Sequence, residues 1–267
     1  MDDIKKISND IRKAALKLCH LHNASHIGSS LSVIDILSVL YSKILNLSPK
    51  NINDSSRDRV FYSKGHAAAG FYATLDYFGY LKKYNLFEDF TKNGSFFTSH
   101  INHKIPGVEI STGSLGHALP ISLGVAKALK INDKTNNVYT IISDGELQEG
   151  SNWESILLAP KHELDNLCLI IDFNKIQSFG RIDEIAPLDP LVDKFKSFNW
   201  DVMEIDGHNH ENIYLSLKTQ NSNNKPKVII AHTIKGKGVD FMEDKLEWHY
   251  KAPNSEQYKK AIEQLDK

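Results

Sequence analysis

"NVYTIISDGELQEGSNWES", Asn137 to Ser155, joins an apolar run directly to a cluster of carboxylates. Val138 to Ile142 reads as a buried strand, Ser143-Asp144-Gly145 ends it in a polar turn, and a helix is expected from about Ser151 or Asn152. "LDNLCLIIDFNKIQSFG" repeats the scheme, with a strand over Leu167 to Ile171 that ends in Asp-Phe-Asn. Two apolar strands that end in oxygen-bearing side chains raise one question: what collects at that edge?

The flanking sequence supplies the same alternation. Ile4, Ile7, Ile11, Ala14, Leu18 and Leu21 recur at helical spacing, so the chain opens with an amphipathic helix. "HIGSS" interrupts it, and Ser29 or Ser30 is expected to cap a second helix from Leu31 to about Leu45. "SSRDRVFYSKGHAAAGFYATLDYFGYL" reads as strand, turn and helix, and "EISTGSLGHALPISLGVAKALKI" as a glycine-rich loop feeding a helix of small residues. "WDVMEIDG" and "KPKVIIAHTIKGKG" supply two further strands around the helical "HENIYLSLKT", and Asn254 begins a capped terminal helix. Short apolar strands alternating with helices predict an α/β fold: a mostly parallel sheet flanked by helices, in a single domain over residues 1–267. "KTQNSNNKPK" reads as a soft linker too short to divide domains, and "HTIKGKG" as a turn after a strand, since it lacks the phosphate-loop pattern.

Composition narrows the function classes. Lysine plus arginine number 32 and aspartate plus glutamate 33, so no basic footprint points to nucleic acid or anionic lipid. No apolar run is long enough to span a bilayer, and "MDDIKKISNDIRKAALKLCH" is acidic where a signal peptide is basic; the expected location is cytoplasmic. Cys19 and Cys168 lie in apolar patterns and are expected as buried free thiols. The 12 histidines include the alternate pairs His20/His22 and His208/His210, but without HExxH or a cysteine set they do not argue for zinc.

In open parallel sheets, ligands bind outside the carboxyl ends of the strands. Asp144 and Asn174 lie 30 residues apart, each at such an end. Either alone is an ordinary cap or turn residue. Together, one anionic and one neutral oxygen suit magnesium, which completes its octahedron with phosphate oxygens and water. Gly145 leaves room for a diphosphate near the backbone.

Asp-Gly, about thirty residues, then Asn at a strand end resembles the thiamine-diphosphate signature, and "SDGELQEGSNWES" resembles its transketolase form. "NASHIGSSLSVIDILSVLY", "SKGHAAAGFYA", "HKIPGVEISTGSLGHALPISLGVAKA", "IDFNKIQSFGR", "IDGHNHENI" and "WHYKAPNSEQ" extend the likeness over nearly the entire chain. The resemblance is to the N-terminal, diphosphate-binding half of transketolase.

That resemblance implies thiamine diphosphate and Mg2+ as cofactors, with Asp144, Asn174 and the backbone carbonyl of Ile176 as metal ligands. It implies His66 and His249 against the diphosphate, with Gly145 where the diphosphate approaches the backbone, and Gly113 and Leu115 against the cofactor rings. His26 and His100 match histidines that face the sugar, and Glu149 matches a buried glutamate linking cofactor sites across an interface. Ser143 departs from the usual glycine and fits only where φ is not positive. The implied activity is transfer of a two-carbon ketol unit from a ketose to an aldose, with substrates expected to be phosphorylated or unusual biosynthetic sugars. The pyrimidine-binding half is absent from the sequence. The chain is therefore expected to be one subunit of a hetero-oligomer such as α2β2, inactive alone, with an apolar surface where a separate C-terminal transketolase-like subunit docks. The alternative is a non-catalytic binding subunit with a degenerate site.

Overall fold

Ile4, Ile11, Ala15 and Leu18 are fully buried, and the helical spacing that aligns them makes α1, Asp2–Leu21. The computed structural model describes residues 2–219, 221 and 224–266, so the "KTQNSNNKPK" reading falls partly outside it, at Gln220, Ser222 and Asn223. The second helical stretch begins earlier than expected and is broken. α2 spans Ile27–Ser32 and α3 Ile34–Val39, followed by a π turn over Leu40–Ile44. Ser29 and Ser30 lie inside α2 rather than capping it. The N-cap is His26 in the left-handed region at φ 69°, where its backbone N–H donates to the His249 carbonyl at 2.9 Å. A contact with a distant segment, not a serine cap, starts this helix.

β1, Arg59–Tyr62, leads through a 3-10 turn, Gly65–Ala67, into α4, Ala68–Tyr77, and later a short α5, Leu86–Asp89. α6 is Ala118–Ile131, β2 Val138–Ser143, α7 Gly150–Lys161 and β3 Leu167–Phe173. Two short helices, α8 (Ile182–Ile185) and α9 (Leu191–Ser197), precede β4, Asp201–Asp206. α10, His210–Lys218, returns the chain to β5, Lys227–His232, and α11 covers Ser255–Leu265 behind an Asn254–Gln257 capping box.

Among the described residues the strands form one sheet in the order β1-β2-β3-β5-β4, with every pairing parallel. Both faces of β1, β2, β3 and β5 are covered, which is why those strands show no polar alternation, while the edge strand β4 stays partly exposed. Val60, Ile141, Ile170 and Ile229 enter a core with α1, α3 and α4. Their neighbours Phe61, Ile142, Leu169, Ile171 and Ile230 enter the opposite core with α6, α7 and α9. Ser143 pairs with Asp172 and Phe173 with His232. That register sets the exits of β2, β3 and β5 side by side at one edge, carrying Asp144, Asn174 and the Thr233–Lys235 segment.

Candidate functional site

At that edge lies a cavity of about 150 Å³ lined by Asp144, Gly145, Asn174, Ile176, His66, His249, Gly113 and Leu115. Sequence reasoning had singled out each of them. Ser143, noted as the departure from the usual glycine, shares the lining, as do Ser29, Gln177, Ser178 and Lys235, which were missed as site residues. His26 and His100 stand just behind: the His26 ring centroid is 5.0 Å from His249, 5.4 Å from His66 and 5.8 Å from His100.

Asp144 leaves β2 and starts a 3-10 turn, Gly145–Gln148; its Oδ1 accepts from the Gly145 N–H at 2.7 Å and its Oδ2 from the Lys175 N–H. Asn174 Oδ1 accepts from the Ile176 N–H at 3.2 Å, and the Ile176 carbonyl accepts from Lys235 Nζ at 3.1 Å. A carboxylate, an amide oxygen and a carbonyl therefore gather on one cavity, all hard oxygen donors suited to magnesium. Burial and then the nearby Asp172 carboxylate push the Asp144 carboxyl up from its ordinary range. A bound cation would favour the charged carboxylate that burial and Asp172 oppose, so the donor set fits the group.

Lys235 is the main omission of the sequence reading. "HTIKGKG" is a turn after a strand, with φ 83° at Gly236 and 94° at Gly238, yet its lysine is buried and aimed into the cavity. Nζ also donates to His249 Nδ1 at 2.9 Å, which leaves the His249 proton on Nε2. Behind it, Lys64 and Asp172 form a fully buried ion pair. Lys64 Nζ further donates to the Ser29 carbonyl at 3.0 Å, and Ser32 and Thr233 donate to Asp172. Burial alone would raise the Asp172 carboxyl, but Lys64 and these donors outweigh it and hold it below its ordinary value.

The histidines are neutral. Burial, then His100 and Lys235, lowers His26 to about 4, and burial, then Lys235, lowers His249 to about 3. Burial depresses His66 and His100 as well. Near pH 7 all four offer uncharged donors and acceptors rather than cations.

No residue of α7 lines the cavity, because the 3-10 turn Gly145–Gln148 intervenes between β2 and that helix. Glu149, matched to a glutamate buried across an interface, is exposed in the single chain, and the carboxylate buried within the chain at this turn is Glu146. Glu146 accepts from Ser63 Oγ and, at 2.9 Å, from the Gly116 N–H, and burial pushes it up to about 7. His208 and His210 converge on Asp35 at 2.8 and 2.9 Å. Ser143 ends β2 without a positive φ, so the condition for serine there is met. Cys19 and Cys168 are free and buried.

Comparison with known proteins gives a consistent picture. A family model described as transketolase, thiamine diphosphate binding domain, matches residues 4–265. The chain is 38% identical to one subunit of the apulose-4-phosphate transketolase of Actinobacillus succinogenes, over 99% of this chain and 96% of that protein. It is 37% identical to the 6-deoxy-6-sulfo-D-fructose transketolase subunit of a Clostridium species, over 99% of this chain and 97% of that one. The crystal structure of Campylobacter jejuni transketolase superposes with a TM-score of 0.91 at 31% identity; all of this chain matches, but it spans only 43% of that protein.

Proposed function

The chain belongs to the transketolase family, in the part that binds thiamine diphosphate, and on that premise we propose that it is one subunit of a split transketolase. The reaction is transfer of a two-carbon ketol unit from a ketose to an aldose. Two relatives are named for a sugar phosphate and a sulfo sugar, which favours a substrate with an anionic group at its far end.

The observation that carries this reading is the convergence of Asp144, Asn174, the Ile176 carbonyl and Lys235 on one cavity. Asp144, Asn174 and Ile176 would hold Mg2+, while Lys235 and the N–H groups of His66 and His249 would meet a diphosphate. Bound thiamine diphosphate supplies the electron sink for carbon–carbon cleavage and formation. Gly113 and Leu115 would pack against its rings. His26 and His100, neutral and adjacent, would orient the sugar hydroxyls and accept or return a proton there. Ser143 would tune cofactor affinity from the cavity wall.

The cavity, about 150 Å³, is well below the roughly 300 Å³ at which small-molecule sites begin, so it holds one end of a cofactor and needs further walls. A second subunit with a pyrimidine-binding domain would supply them. Phe179 and Tyr250, 82% and 61% exposed, flank the mouth next to the lining residues Ser178 and His249. Ile121 on α6 and Leu157 on α7 are also exposed apolar side chains, and Glu149 stands at the N-cap of α7. That second subunit would cover them and bury Glu149.

Calorimetric titration of the assembled complex with thiamine diphosphate tests the site. Binding that requires Mg2+, and that Asp144→Ala abolishes, is the expected result. Unchanged affinity in Asp144→Ala would remove the metal assignment.

A further inference from the structure

Lys235 enters the cavity from a loop whose backbone is gripped from outside it. His208 Nδ1 donates to Asp35 Oδ2 at 2.8 Å, while its Nε2 accepts from the Ile234 N–H, also at 2.8 Å. Both contacts are satisfied only by the neutral imidazole with its proton on Nδ1. Asp35, buried beneath α1, is held in turn by Arg12 through both carboxylate oxygens and by His210. Arg12 Nε donates onward to the Lys237 carbonyl at 3.1 Å, and the Gly236 N–H donates to the Gly28 carbonyl at 2.9 Å. The backbone on either side of Lys235 is therefore tied to one buried carboxylate, directly through His208 and Arg12.

We propose that His208 is a positioning residue for the cavity lysine: Asp35 fixes the imidazole, whose Nε2 holds the Ile234 N–H and so sets the reach of Lys235 toward an anionic ligand. His208 touches none of the cavity and acts only through the loop. The proposal rests on the reading of the cavity as a diphosphate site and adds to it an anchor on α3 and the β4–α10 turn.

The two ring nitrogens can be separated by substitution. His208→Gln keeps an acceptor at the place of Nε2 and loses the donor to Asp35. His208→Asn keeps the donor and leaves the Ile234 N–H without a partner, a loss worth a factor of roughly ten to a hundred where it is transmitted to binding. Hydrogen exchange over residues 234–238 of the full chain should quicken in His208→Asn and stay near wild type in His208→Gln. Thiamine diphosphate affinity of the assembled complex should follow the same order, and His208→Asn should cost nothing more once Lys235→Met is present. Equal behaviour of the two variants, or losses that add in the double mutant, would overturn the proposal. If the wild-type complex takes up no thiamine diphosphate, the diphosphate reading fails instead, and the exchange measurement still decides whether His208 holds the loop.

Discussion

Lys64 and Asp172 show how much of this site depends on charges that never meet solvent. Both side chains are fully buried, each is hydrogen-bonded to further groups, and neither was singled out from the sequence, where "SKGH" and "IDFN" drew attention to their neighbours. Lys64→Met would strand the Asp172 carboxylate and should cost about 3–5 kcal/mol in urea unfolding; a loss below about 1 kcal/mol would mean that the pair is not held as described. His26 carries a pH signature of definite sign. Its folded pKa is lowered from 6.5 to about 4, so its contribution to stability is complete above pH 6.5 and is lost as pH falls toward 4. Between about pH 8 and about pH 5.5 the wild type should lose about 1 kcal/mol more than His26→Asn. Parallel melting-temperature profiles for the two proteins would contradict the half-buried neutral imidazole.

At the scale of elements, the loop before α6 is joined to the turn after β2 through Gly116. Its φ is 83°, and an added Cβ would lie 2.6 Å from Ser151 Oγ and 2.7 Å from Glu149 Cβ. Gly116→Ala should therefore destabilise the chain by about 1–3 kcal/mol and weaken cofactor binding with it; thermal unfolding at neutral pH reads the first effect and titration the second. Wild-type stability in that variant would show the loop to be free of the turn. The strands were legible because a parallel sheet covered on both faces writes uninterrupted apolar runs, as in Val138 to Ile142 and Leu167 to Ile171. Asp144 and Asn174 were legible because a polar residue directly after such a run sits at the ligand-binding edge. The start of α2 was not, since it is set by a hydrogen bond from His26 to His249 across the fold. Lys235 was missed for a related reason: a lysine just before a glycine is ordinary turn chemistry until β5 is seen to lie beside β3.

For the whole molecule the central feature is a site with one side built. No helix among the described residues is long and apolar enough to cross a membrane, and the exposed Phe179, Tyr250, Ile121 and Leu157 fit a protein partner at the cavity mouth and across α6 and α7. A partner that completes the cavity explains at once the small volume, the exposed Glu149 and the apolar rim. The most direct measurement isolates this chain from its native cells under gentle conditions, identifies the protein that accompanies it, and assays two-carbon ketol transfer by the chain, the partner and the complex, each with Mg2+ and thiamine diphosphate. The account predicts transfer by the complex alone. Transfer by the purified single chain would contradict it.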